Sequence, residues 1–90
     1  MTAADIIFDL LLVLMLTAVG LLALWHRRIF ACAVFFIVFG LLLSVVWMRL
    51  SATDVAMAEA AIGAGVTGAL VIATLSRMSA SGRAEKDREE

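Results

Sequence analysis

The sequence contains no proline, one cysteine and one histidine among its 90 residues. A single cysteine, Cys32, can form no disulfide within the chain and offers no pair of zinc ligands. The one histidine, His26, belongs to a short turn after Trp25, which leaves no serine, histidine and aspartate set for hydrolysis. A glycine-rich phosphate loop between a strand and a helix is also absent. We therefore expect no cofactor, no metal and no nucleic acid as a ligand.

Charged residues are scarce at 17%, whereas 64% of the residues are hydrophobic. A helix needs about 20 mostly apolar residues to cross roughly 30 Å of hydrocarbon. Three segments satisfy this requirement, at residues 6–25, 29–48 and 55–78. They predict an all-α integral membrane protein with three transmembrane helices in one domain, residues 1–78. Residues 79–90 carry charges of both signs and no large apolar side chain, which predicts a solvated, frayed tail.

The basic residues predict the orientation, because Lys and Arg are retained on the cytoplasmic side during insertion. Arg27 and Arg28 lie in the first turn, and four more lie at or beyond the end of the third helix: Arg77, Arg83, Lys86 and Arg88. Only Arg49 lies in the second connection. We expect the N-terminus outside and the C-terminus in the cytoplasm, with Trp25 and Trp47 near opposite membrane surfaces.

The third helix differs in composition from the first two, which carry bulky apolar residues on all sides. Small residues follow one another at four-residue steps along it, at Ala56, Ala60, Ala64 and Gly68. Such a row allows close approach of another helix, and we expect it to dock against a neighbouring subunit. Gly63 and Gly65 extend the smooth surface. Three glycines so close together can also accommodate a bulge with irregular hydrogen bonding.

Glu59 lies about one turn into this helix, and Gly63 and Thr67 follow it at four-residue spacing. Insertion scales assign a charged group at mid-membrane a cost of about 2.5–3.5 kcal/mol, so intramembrane acids are commonly functional. The small neighbours leave room for water or for a partner side chain. We expect Glu59 to bind a proton. The alternative is a structural glutamate that is hydrogen-bonded to another helix or reaches the outer surface.

Two aspartates lie nearer the predicted outer surface. Asp54 precedes the third helix, and we expect it to cap that helix. Asp9 lies early in the first helix. It is either a carboxylate at the membrane surface or a member of a proton-entry network.

The third segment carries a resemblance in the sequence DVAMAEAAIGAG, residues 54–65. It resembles the MbhD-like small three-helix subunits of Mrp-type multisubunit Na⁺/H⁺ antiporters and membrane-bound hydrogenases. In that family, Ala-Pro-Asp-Val-Ala leads into a helix with Thr-Glu-Ala-Ala-x-Gly-Ala-Gly. An early aspartate, a short basic turn and an apolar second helix are similar too. The family is regarded as related to the J-type subunit of complex I, whose corresponding helix can carry a π-bulge beside the ion pathway.

The resemblance implies that Glu59 is the functional carboxylate, that Asp54 is the motif aspartate and that Gly63 and Gly65 are flexible glycines. The chain departs from the family at two places. SATDVA replaces the proline-containing connection, and Met57-Ala58 precedes the glutamate where the family commonly has a hydroxyl residue.

The function implied is that of a non-enzymatic subunit of a cation/proton antiporter complex in a prokaryotic cytoplasmic membrane. Its partners would be other membrane subunits and the lipid bilayer, and the transported ions Na⁺ and H⁺. Glu59, Asp54 and Asp9 would form the proton or ion relay. Two alternatives remain at this point: a structural or assembly subunit of a redox-linked hydrogenase or complex I-like pump, and a small homo-oligomeric transporter.

Overall fold

A computed structural model describes residues 1–89, which form helices joined by short connections. The elements are α1 (Ala3–Trp25), α2 (Ile29–Arg49), α3 (Thr53–Ala58), a π-helical segment (Glu59–Val66) and α4 (Thr67–Glu89). The last three follow one another without a break and make one helix, Thr53–Glu89, called the long helix below. Three helices are thus long and apolar enough to cross a membrane, which confirms the predicted all-α, three-span fold.

The start of α1 is fixed by a capping box between Thr2 and Asp5. The Asp5 N–H donates to Thr2 Oγ1 at 3.4 Å, and the Thr2 N–H donates to Asp5 Oδ2 at 3.2 Å. The Thr2 N–H would otherwise lack a partner at this helix terminus, and the Asp5 N–H also donates to the Thr2 carbonyl at 3.1 Å. At the other end, α1 stops at Trp25 because His26 is in an extended conformation.

The connection between α2 and α3 is a hydrogen-bonded C-terminal cap. The Ser51 N–H donates to the Met48 carbonyl at 3.1 Å, and the Ala52 N–H donates to the Trp47 carbonyl at 2.9 Å. This is the Schellman pattern, which requires a left-handed residue, and Ser51 supplies it at φ 61. A serine in that conformation costs about 1 kcal/mol, where a glycine would cost almost nothing. The turn is therefore well defined without a proline.

The three helices form a flat layer in which α2 lies in the middle. α1 contacts α2 on one side and the long helix contacts it on the other, whereas α1 and the long helix do not contact each other within residues 1–89. The Cα atoms span 65 × 25 × 12 Å, as expected for helices that lie side by side in a single layer. Large apolar side chains remain exposed along all three helices, as at Leu24, Phe36 and Met57. Lipid or partner subunits must cover them.

The long helix continues past residue 78, where the sequence predicted the membrane span to end. It extends to Glu89, and residues 76–89 are all exposed. The expectation of a frayed tail was wrong for residues 79–89, because no glycine after Gly82 and no proline interrupts the helix there. A helix of 37 residues is about 55 Å long, whereas the hydrocarbon core is about 30 Å thick. The charged end therefore projects beyond the span.

Candidate functional site

Glu59 begins the π-helical segment, in the second turn of the long helix, and is half-buried. Its carboxyl group lies against Gly63 on the same helix. A Cβ atom placed on Gly63 would overlap Glu59 Oε1 and would lie 3.2 Å from Glu59 Cδ. The missing side chain at position 63 therefore creates space that the Glu59 carboxyl group itself occupies, where the sequence predicted room for water or a partner side chain.

The irregular hydrogen bonding predicted for this glycine-containing stretch is confirmed. Glu59–Val66 is π-helical, and the Thr67 N–H donates to the carbonyl of Ile62, five residues back. The segment EAAIGAGV is made mostly of alanine and glycine, and glycine weakens an α-helix by about 1 kcal/mol per residue. Stretches of π-helix inside α-helices are frequent at functional sites.

Small residues bring the backbone of the long helix close to α2. A Cβ atom on Gly40 of α2 would lie 3.5 Å from the backbone N of Ala64 and 3.7 Å from the backbone C of Gly63. One turn further along, a Cβ on Gly68 would overlap the side chain of Ile37. Glu59 is therefore carried by a helix whose backbone is held close to α2 by glycine contacts.

This packing corrects the expected partner of the small-residue row. Ala56, Ala64 and Gly68 are buried, and Ala60 is half-buried. The row was expected to dock against a neighbouring subunit, but the helix it faces is α2 of the same chain. The row packs against α2 because both helices carry small residues at the contact, with Gly40 of α2 lying against Ala64.

Asp9 of α1 is bound by an arginine that the sequence reasoning did not pair with it. Arg49 Nε, at the end of α2, donates to Asp9 Oδ1 at 2.8 Å, and Arg49 Nη2 lies 3.9 Å from Asp5 Oδ1. The guanidinium carbon is also 5.3 Å from the centre of the Phe8 ring. The sequence contains a signal for this pairing. Asp5 and Asp9 lie one turn apart on one helix, and Arg49 is the basic residue at the same end of the layer.

Glu59 and Asp9 each lie in the second turn of their own helix, yet their surroundings differ. Asp9 has a cation at hydrogen-bond distance. Glu59 has neither a hydrogen bond nor an ion pair from any residue in 1–89. The predicted relay residues are not assembled within this chain, because α1 does not reach the long helix. No group of acidic, histidine or cysteine residues in the described part could hold a metal ion.

The predicted capping role of Asp54 was wrong. The residue before the first turn of α3 is Ala52, and no side chain caps that helix end. Asp54 is exposed in the first turn of α3. A carboxylate there interacts favourably with the positive end of the helix dipole. It stands at the same end of the layer as Asp9 and Arg49.

The remaining polar groups singled out in the sequence have local roles. The Cys32 thiol donates to the His26 carbonyl at 3.0 Å and so helps to close the first turn. His26 Nδ1 accepts the Arg28 N–H at 3.3 Å. The indole nitrogen of Trp47 is buried and has no hydrogen-bond partner within residues 1–89.

Comparison with known proteins places the chain in a family. A family model described as MbhD, a subunit of MBH, matches residues 12–80. No curated protein and no solved structure matches the chain. The matched range includes most of α1, all of α2 and the whole π-helical segment with Glu59. The chain belongs to the MbhD family, and it is thus a small multi-pass membrane subunit of multisubunit complexes of the membrane-bound hydrogenase and Mrp type.

Proposed function

We propose that the chain is a subunit of a monovalent cation/proton antiporter complex in a prokaryotic cytoplasmic membrane, in which Glu59 binds and releases the transported proton. Antiport of H⁺ against Na⁺ or a similar cation is the activity in which a membrane-embedded carboxylate has a direct use. The proposal rests on the family and on the surroundings of Glu59.

The observation that carries the proposal is the lack of any compensating group for Glu59. A carboxylate within a membrane span is expensive unless it is paired, protonated or hydrated. Asp9, in the second turn of α1, is paired with Arg49 at 2.8 Å, but Glu59 has no partner from residues 1–89. Protonation, water, or a partner from a neighbouring subunit must therefore satisfy Glu59. Each of these suits a group that exchanges a proton across a subunit boundary.

The local backbone supports the same role. Gly63 leaves the carboxyl group free of steric contact from a side chain at the next turn, and the π-helical segment widens the helix beside it. Because π-helical hydrogen bonds are less regular than those of an α-helix, carbonyl groups here are available to water or to a partner. Asp54 is exposed five residues before Glu59, nearer the end of the layer, and would pass protons to Glu59 through intervening water.

The flat layer explains why other subunits are required. A layer about one helix thick encloses no water-filled route, so the chain alone cannot conduct ions. Large antiporter-like subunits on its faces would complete the pathway and cover its exposed apolar side chains. Asp9 is held by Arg49 and would act as a fixed charge at the entry side rather than as a mobile carrier.

The experiment is cation/proton exchange by the intact complex in vesicles, with Glu59→Gln in this chain. Glutamine keeps the size and hydrogen-bonding capacity of the side chain but cannot release a proton. We expect exchange to fall by at least about 100-fold, the lower end of what a positioned proton-transfer group contributes. The matched control is Glu85→Gln, in the exposed end of α4, which should leave exchange unchanged.

Assembly is measured beside transport, by the subunit composition of the purified complex. A complex that assembles with Glu59→Gln and exchanges ions at the parent rate would disprove the relay role. A complex that falls apart with Glu59→Gln but not with Glu85→Gln would instead establish a structural role. The glycine contacts between α2 and the long helix organise the layer without using the carboxyl group, so we expect the complex to assemble with Glu59→Gln.

A further inference from the structure

An open apolar groove runs between α1 and α2, on the side of α2 away from the long helix. Its volume is about 490 Å³, within the range of ligand pockets, and its walls include Gly20, Leu21, Leu24, Phe36 and Phe39. Gly20 provides depth, since a Cβ atom there would lie 3.2 Å from the Phe39 ring. Thr17 also lines the groove, but its hydroxyl donates to the Val13 carbonyl at 2.8 Å. The groove thus offers no hydrogen-bond donor and suits a hydrocarbon chain.

The groove reaches the last turn of α1, next to the basic turn between α1 and α2. Leu24 belongs to the last turn of α1, and the exposed residues His26, Arg27 and Arg28 follow it directly. Neither arginine is ion-paired within residues 1–89. His26 Nδ1 accepts a hydrogen bond, so the neutral ring carries its proton on Nε2 and keeps one donor available. Hydrogen-bond donors and positive charge therefore gather at one end of an apolar channel.

From this juxtaposition we propose that the groove binds an anionic phospholipid, with one acyl chain between α1 and α2 and the phosphate on Arg27 and Arg28. A helix that spans the membrane and ends at Trp25 places the turn after it at the level of the lipid headgroups. Arginine guanidinium groups bind phosphate oxygens in a bidentate manner. A neutral helix of a partner subunit would fill the groove but would leave both arginines without a counter-ion. Charge complementarity therefore favours the lipid.

The test uses the full-length tagged chain, purified in mild detergent with the subunits that accompany it. Phosphatidylglycerol or phosphatidylcholine is added at defined amounts, and native mass spectrometry counts the lipid bound to this chain. We expect a preference of roughly 10- to 30-fold for phosphatidylglycerol, because each arginine near an anionic surface contributes about a factor of five. The double variant R27Q/R28Q should lose this preference. The charge-matched control R83Q/K86Q, at the exposed end of α4, should keep it.

A second pair of variants tests the groove itself. Ala23→Phe places a ring in the groove and should lower retention of both lipids, whereas Ala18→Phe, on an exposed position of α1 outside the groove, should not. If the Ala23→Phe variant does not fold, the comparison of R27Q/R28Q with R83Q/K86Q tests the proposal by itself. Equal retention of the two lipids by the parent chain, or R27Q/R28Q indistinguishable from R83Q/K86Q, would overturn the proposal. So would cross-linking of Leu24→Cys to another subunit, which would identify a protein as the occupant.

Discussion

The two sides of α2 hold their neighbours by different means, and each neighbour carries an acidic residue in its second turn. Towards α1, α2 supplies a cation, Arg49, which binds Asp9 at 2.8 Å. Towards the long helix it supplies Gly40, which lets the backbone of Ala64 approach closely. The charge of Asp9 is thus balanced by an arginine of the same chain, whereas Glu59 has space beside it but no cation.

The difference predicts how firmly each side of α2 holds its neighbouring helix. An ion pair that remains accessible to solvent is screened and stabilises little, so this pair adds little to the attachment of α1. A contact between glycine and alanine backbones depends on shape and fails when a larger side chain enters. The long-helix side is therefore the rigid one, and it is there that the unpaired carboxyl group is held. Substitutions on the two sides should differ in size accordingly.

The largest effect on the fold should come from Gly40→Leu. Its Cβ alone would contact Ala64 N at 3.5 Å, so the rest of the leucine side chain must push the long helix away. Overpacking of this kind destabilises by about 1–3 kcal/mol. We expect a clearly lower midpoint of thermal unfolding for the purified protein in mild detergent.

Gly82→Leu is the matched control for that prediction. Nothing lies within 4 Å of a Cβ at Gly82, and leucine favours a helix more than glycine does. The midpoint of thermal unfolding of the Gly82→Leu variant should stay the same or rise. If Gly40→Leu behaved like Gly82→Leu, the close contact between α2 and the long helix would not be the rigid side of the layer.

An intermediate effect, on transport rather than on stability, is expected for Gly63→Ala. The added methyl group overlaps Glu59 Oε1, so the carboxyl group must rotate away from its position. A displaced proton-transfer group should slow cation/proton exchange by roughly 10-fold or more. Combined with Glu59→Gln, the alanine should add no further loss, because the group it displaces no longer titrates. Fully additive losses would show that Gly63 acts through the backbone instead.

The smallest effect is expected for Arg49→Gln, on the α1 side. The Arg49 and Asp9 side chains are 36% and 40% exposed, so their ion pair contributes little in water. The unfolding midpoint should drop by less than with Gly40→Leu, and at about 1 M salt the difference from the parent chain should vanish. The control Arg83→Gln removes an equal charge from the exposed helix end. A loss as large as that of Gly40→Leu would reverse the ranking of the two sides.

Much of this molecule could be predicted from its composition. Long apolar runs leave no alternative to membrane helices, and the spacing of Glu59 and Gly63 predicts their contact because both lie on one helix. The irregular backbone at Gly63 and Gly65 followed from the low helix propensity of glycine. These features are local, so neighbouring residues in the sequence determine them.

What could not be predicted depends on contacts between helices. A row of small residues shows that some helix approaches closely, but only the packing shows that α2, through Gly40, is that helix. The pairing of Asp9 with Arg49 joins residues far apart in the chain, and three short spans leave several pairings open. Asp54 was assigned as a cap because the start of α3, fixed by the turn at Ser51, lies earlier than hydrophobicity alone suggests.

The thinness of the layer also determines the geometry of any complex that includes it. A single layer of helices increases the width of an assembly in the membrane plane without adding an internal compartment. Subunits seated on its two broad faces would stand about one helix diameter apart. The chain would then hold those subunits at a fixed spacing, set by a single layer of helices.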